Sequence, residues 1–185
     1  MIFRQTPLQG AYIIEMERDN DDRGYFARTY SADAFAKLGL KSEFVQCSVS
    51  FNVREGTLRG LHYQAPPFEE AKLVRCTRGS AFDVIVDLRA QSPTYRQWFS
   101  AVLSADNGLM MYVPEGFAHG FQTLADSTEL FYQISQVFSP AHTRRLRWDD
   151  PTLEIGWPPV RNRILSERDA DAPLLDGSRP TDHDD

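Results

Sequence analysis

The sequence predicts an all-β sandwich or barrel, on three observations. Short apolar or alternating runs recur between residues 44 and 137 at roughly ten-residue spacing, the rhythm of antiparallel strands in a sandwich or barrel. Turn-forming groups separate them: Glu55-Gly56, Arg78-Gly79-Ser80, Asp106-Asn107-Gly108, Pro114-Glu115-Gly116 and Asp126-Ser127. Aromatic residues make up 12% of the 185, on the high side, which suits strands.

Residues 1–16 alternate loosely around Gly10 and read as an N-terminal strand. Asp19 to Gly24 is a polar turn, and Tyr25 to Tyr30 a short strand. Ser31 to Gly39 reads as a short helix that Ser31 can cap and Gly39 can end. From Phe44 the alternation becomes strict. Val45, Cys47, Val49 and Phe51 fall on one face; Gln46, Ser48, Ser50 and Asn52 fall on the other. This predicts a half-buried strand whose small polar face suits either solvent or a wet cavity. Thr57 to Gln64 is the next strand, with Gly60 where glycine marks a bulge or a close backbone approach. Ala65 to Glu70 contains Pro66-Pro67 and is a loop. Strands follow at Lys72 to Thr77, Ala81 to Arg89, Trp98 to Leu103, Leu109 to Val113, Phe117 to Leu124 and Glu129 to Val137. After Pro140 the pattern gives way to an irregular segment holding Trp148-Asp149-Asp150-Pro151 and Trp157-Pro158-Pro159. Ala170 to Asp185, rich in Asp and Pro, predicts a disordered tail after one domain spanning residues 1–169.

Hydrophobic residues are 42% and charged residues 25%, ordinary for a soluble globular chain. A net charge of −6 argues against nucleic acid as a partner, yet leaves room for a local phosphate site. The chain opens without a basic-then-apolar leader, and no window is long and apolar enough for a membrane span. The expected location is therefore cytoplasmic, with no membrane partner. Cys47 and Cys76 are too few for a disulfide framework and are expected as buried free thiols.

The segment Thr57 to Gln64 concentrates chemistry, with Arg59, His62, Tyr63 and Gln64 on one strand. Taken alone, it fits a wet edge strand as well as a site. Of the four histidines, His183 lies in the tail and His142 in a polar stretch read as surface. His119 sits among glycines and aromatics. His62 or His119 alone also fits a core histidine with satisfied hydrogen bonds. A metal site in a small β-barrel would need two histidines two apart, a carboxylate and a third histidine. Position 64 is Gln and no other pair has that spacing, so the expected site holds no metal and no other cofactor. There is no Gly-x-Ser-x-Gly elbow, phosphate loop or dinucleotide fingerprint. What remains is proton transfer: His62 as base, Lys72 as cation and Tyr132 as acid suffice beside a carbonyl. They lie on three separate predicted strands.

Five blocks occur in order: Leu58 to Gln64, Lys72-Leu73-Val74-Arg75, Pro114 to Phe121, Trp148-Asp149-Asp150-Pro151 and Ile164 to Asp169. Together they closely resemble the nucleotide-sugar 3,5-epimerases typified by dTDP-4-dehydrorhamnose 3,5-epimerase, from about residue 2 to residue 170. The resemblance implies a cupin-type jelly-roll β-barrel, a homodimer with exchanged N-terminal strands, no metal, and a nucleotide-diphosphate sugar as substrate. It implies His62 as base and Asp169 as its partner, fixing the tautomer and stabilising the imidazolium. It implies Lys72 at the enolate oxygen and Tyr132 as acid on the opposite face. It further implies that Arg23, Phe26, Gln46, Arg59 and His119 hold the diphosphate or line the sugar pocket, and that Phe138 stacks on the base.

The chain departs from the family pattern at four places. Arg28 stands where a glutamate is usual, Cys47-Ser48-Val49 replaces Asp-Asn-His, Phe138 replaces a tyrosine and Thr143 a glutamate. All four fall on the nucleotide side or the pocket wall, so the expectation is retained proton chemistry with an open nucleotide or sugar preference. The rival readings are a C3-only or C5-only epimerase, one acting on a CDP- or GDP-linked sugar, a 3,4-ketoisomerase, and a non-catalytic sugar-nucleotide binding cupin.

Overall fold

The computed structural model describes residues 1–175. In chain order the strands are β1 (Ile2–Gln5), β2 (Tyr12–Glu15), β3 (Arg18–Asp21), β4 (Gly24–Ala27), β5 (Gln46–Asn52), β6 (Leu58–Gln64), β7 (Lys72–Arg78), β8 (Ser80–Asp87), β9 (Trp98–Ser104), β10 (Met110–Val113), β11 (Phe117–Thr123), β12 (Thr128–Ile134) and β13 (Thr143–Arg145). Two short helices are α1 (Ala32–Lys37) and α2 (Glu167–Ala170). A six-stranded sheet runs β1-β2-β10-β7-β12-β5, a five-stranded sheet runs β13-β6-β11-β8-β9, and β3 and β4 form a hairpin apart from both. Pairing within the sheets is antiparallel. The all-β expectation holds.

The two sheets pack face to face. Val74, Cys76, Met111, Val113 and Leu130 of one meet Ala81, Ile85, Leu103, Phe117 and Phe121 of the other in one buried core. Each sheet is also covered on its outside. On the six-stranded sheet, Ile14, Leu73, Met110 and Tyr112 pack under Phe35 of α1, with Phe3, Tyr30 and Phe44 around it. On the five-stranded sheet, Leu61, Val84, Val86 and Ala118 lie under Leu146, Leu153, Ile155 and Trp157. The irregular segment after Pro140 is thus the second sheet's outer layer, and the Trp157 indole N–H is satisfied by the Trp148 carbonyl at 2.8 Å.

Several elements differ from expectation for local reasons. Residues 1–16 form two strands, because Gly10 (φ +84) turns the chain back on itself. The polar stretch 19–24 belongs to a hairpin, β3–β4, and its turn is Asp22-Arg23. Thr143–Arg145, expected to be irregular, adds a short edge strand to β6. The helix ends as predicted: Gly39 (φ +68) donates to the Ala36 carbonyl and Leu40 to that of Phe35, a Schellman closure. At its other end Ser31 holds the N-cap position, but its side chain makes no capping bond.

The largest correction concerns β5. Its apolar residues Val49 and Phe51 are exposed, and so are Cys47 and the preceding Val45. Its polar face takes the second of the two settings the sequence allowed: Gln46, Ser48 and Ser50 line a polar cavity. Only Cys76 is the buried thiol expected. His142 is not a free surface residue either: it stacks on Phe68 at 4.4 Å between ring centroids. Residues 170–175 pack on the body, with Ala172 buried and the Pro173 carbonyl accepting from the Arg147 amide at 2.9 Å. The rest of the expected tail, residues 176–185 with His183, lies outside the described residues.

Candidate active site

A cavity of about 370 Å³ lies between the sheets. Gln46, Ser48, Ser50, Lys72 and Tyr132 line it from the six-stranded sheet; Arg59, His62, His119 and Phe121 line it from the five-stranded one. Glu70 and Phe138 close it from loops. A larger hollow, about 640 Å³, opens around Lys41, Arg89, Tyr112 and Glu115, and none of the candidate site residues lines it.

The geometry of β6 explains how both Arg59 and His62 reach this cavity. Strict strand alternation would send residues three apart to opposite faces. Here the β6–β11 register shifts between His119 and Phe121, so that His62 pairs with His119 and Arg59 with Phe121. The shift occurs where two glycines meet: a Cβ on Gly60 would stand 2.6 Å from the Gly120 Cα.

His62 Nε2 lies 2.7 Å from Asp169 Oδ1. Asp169 is buried in the first turn of α2, and its amide donates to the capping Ser166 hydroxyl. The segment before α2 is docked along the start of β6, where the Leu58 amide donates to the Ile164 carbonyl at 2.8 Å. Burial works to raise the Asp169 carboxyl, but the hydrogen bond and charge of His62, with Ser166 and the Gly60 backbone, outweigh it and hold the group below the usual aspartate value. An ionised Asp169 accepts, so His62 Nε2 carries a hydrogen, and in the neutral ring Nδ1 is the nitrogen with the lone pair. Arg145 Nε stands 3.5 Å from the same carboxylate oxygen. Lys72 pairs with Glu70 at 2.9 Å. Tyr132 lies on the opposite sheet from His62. Burial, and then the charge of Asp83, push its phenol well above the usual tyrosine value, while Arg59 opposes them.

An imidazole hydrogen-bonded to a buried carboxylate thus faces an ammonium and a phenol across one cavity. The family model for dTDP-4-dehydrorhamnose 3,5-epimerase matches residues 5–177. The chain belongs to this epimerase family. A dTDP-4-dehydrorhamnose 3,5-epimerase of Sinorhizobium fredii is 43% identical over 175 residues, covering 95% of this chain and 90% of that one. The crystal structure of the enzyme from Elizabethkingia anophelis superposes with a TM-score of 0.92 at 40% identity, covering 95% of this chain and 96% of that one. The Bacillus anthracis enzyme, solved with TDP and PPi bound, gives 0.90 at 41% identity over 94% and 99%. The fold is therefore the jelly roll of this family.

Within this epimerase-family chain, the remaining sequence-predicted residues divide. Arg59 Nε donates to Asn52 Oδ1 at 2.8 Å, and Gln46 Oε1 accepts from the Phe138 amide at 2.7 Å, drawing Phe138 to the cavity rim. His119 is buried and pairs with Asp83 at 2.8 Å. Arg23 and Phe26 do not reach the cavity of their own chain. They stand on the β3–β4 hairpin, where Arg23 is 89% exposed in its side chain and paired with Asp21, and Phe26 is 74% exposed. Asp83, Glu70 and Asn52 were missed in the sequence. The signal for Asp83 was available: it is the one carboxylate in the apolar run Ala81 to Val86. It is fully buried, and its Oδ2 has no hydrogen-bond partner. Among the described residues, no group of three or more His, Cys, Asp or Glu side chains is arranged to hold a metal ion.

Proposed function

We propose that this protein is an isomerase that inverts C3 and C5 of dTDP-4-dehydro-6-deoxyglucose, giving dTDP-4-dehydro-L-rhamnose, with no metal or other cofactor. The observation that carries the proposal is the placement of His62 and Tyr132 on opposite sheets around one cavity. Inversion through a planar enolate needs proton removal on one face and return on the other. His62 Nδ1 takes the proton from the carbon beside the C4 ketone, and the C–H electron pair moves through the new C=C bond onto the C4 oxygen. Lys72 faces that oxygen as charge develops there. Asp169 balances the imidazolium that forms. Tyr132 then gives its proton to the opposite face, a role suited to a phenol kept protonated by its surroundings. C3 and C5 both flank the ketone, so one base serves both in turn. Arg59 and His119 hold the sugar end.

The same reading pairs two copies of the chain. The β3–β4 hairpin would bring Arg23 and Phe26 to the partner's cavity, where Arg23 meets the diphosphate. Strand β1 pairs with β2, and β2 with β10 of its own chain, so the hairpin is the element left to exchange.

Proton NMR of the dTDP sugar with the protein in heavy water tests the proposal. Deuterium should enter at C3 and C5 as the L-sugar appears, and His62→Asn should stop exchange while dTDP binding stays within about threefold. Exchange at one carbon would make the protein a mono-epimerase. Silence with the dTDP sugar, but turnover of a CDP or GDP sugar, would refute the thymidine assignment; silence with all of them would sink the enzymatic reading.

A further inference from the structure

We infer that Glu70 is a positioning residue for the epimerisation: its carboxylate holds the Lys72 ammonium at the cavity wall, where the C4 oxygen becomes an enolate. This deepens the function proposed above and rests on it.

Lys72 Nζ and Glu70 Oε1 are 2.9 Å apart, and their side chains are only 9% and 12% exposed. An ammonium taken this far from water is costly unless paired, and removing its partner leaves an uncompensated buried charge. Lysine also brings a flexible four-carbon stem, so without a fixed partner its head group samples many positions. A cation that stabilises a developing oxyanion must be in place beforehand, because its advantage over water lies in needing no rearrangement.

The loop that presents Glu70 is itself held. The Gln64 side chain donates to the Phe68 carbonyl at 3.0 Å and to that of Val137 at 3.2 Å. The Ala71 amide donates to Ser135 Oγ at 2.8 Å, and the Ser135 amide returns a bond to the Ala71 carbonyl at 3.0 Å. Phe68 stacks on His142. Glu70 therefore reaches Lys72 from a braced segment between β6 and β7. One of the three ammonium hydrogens goes to Glu70, leaving two for substrate. The carboxylate also dilutes the field of the cation, so its benefit to turnover comes from fixing the ammonium.

The test compares wild type with Glu70→Gln, Lys72→Met and the double variant, reading kcat, KM and melting temperature on the dTDP sugar. Glu70→Gln keeps the shape of the side chain and removes its charge. We expect kcat to fall about tenfold with KM within about twofold, and the melting temperature to drop, because the buried ammonium loses its countercharge. In the Lys72→Met background the same change should cost nothing further, because nothing remains to be positioned. An unchanged or raised kcat in Glu70→Gln overturns the inference, as does an equal loss in both backgrounds. A rise in KM alone also overturns it and makes Glu70 a substrate contact. If wild type itself exchanges no deuterium into the sugar, the proposed function has failed; an active wild type with an unaffected Glu70→Gln sinks only this inference.

Discussion

At the scale of single residues, the site is governed by carboxylates that orient or charge a neighbour. Asp169 sets the tautomer of His62 and is itself held ionised against its burial. Its folded-state pKa lies below the unfolded one, so the stability this adds is present above about pH 4, the ordinary aspartate range, and is lost as pH falls through the folded value. The melting-temperature gap between wild type and Asp169→Asn should be widest near neutral pH and close below about pH 4. A gap that stays constant down to pH 3 would show that the ionised form of Asp169 is not favoured by folding. Asp83 plays the matching part at His119, from a strand 36 residues away in sequence. It also weighs on Tyr132 by charge, after burial. The Asp169–His62 pairing was legible because both residues sit in family motifs. Asp83 stands out as a lone carboxylate in an apolar run, but its pairing with His119 was not legible, because only the fold brings β8 beside β11.

At the scale of elements, glycine and periodicity account for most of what the sequence predicted. Gly60 was read as a close approach, and its neighbour is Gly120 across the β6–β11 ladder. Gly60→Ala would drive a methyl into backbone at φ +139, where neither strand can yield alone. We expect a cost on the order of 3 kcal/mol, seen as a melting temperature lower by roughly 10 °C, together with a fall in kcat as Arg59 and His62 lose their shared face. Gly39 is the control. A Cβ there meets nothing within 4 Å, so Gly39→Ala should cost only about 1 kcal/mol for its left-handed backbone. Equal effects at both positions would remove the close-approach argument. Strand β5 marks the limit of periodicity: alternation shows that a strand has two unlike faces, but the neighbours decide which is inward. Its serines and Gln46 line the cavity, while Cys47 and Phe51 are exposed and Val49 stands exposed at the cavity edge.

At the scale of the whole molecule, the β3–β4 hairpin and the outer face of β5 leave Phe26, Val45, Val49 and Phe51 uncovered in the single chain. A dimer with exchanged hairpins gives a sharp expectation. Mixing His62→Asn with Arg23→Ala/Phe26→Ala, after subunit exchange, should restore about a quarter of wild-type activity, because half the dimers are mixed and each holds one intact composite site. If each hairpin served its own cavity, the mixed dimers would contain no intact site and activity would not return.

The sequence by itself determined the strand-rich architecture, the single early helix and its glycine end, the turns, and the motifs that carry His62, Lys72, Tyr132 and Asp169. These are local signals, written in spacing and in the backbone freedom of particular residues. The tertiary structure alone decided which face of β5 is wet, that Arg59 and His62 share a wall, that Asp83 and Glu70 stand behind His119 and Lys72, and that Arg23 and Phe26 stay clear of their own cavity. Each of these depends on which distant segment lies alongside, and burial and pairing between distant segments leave no periodic trace in the chain.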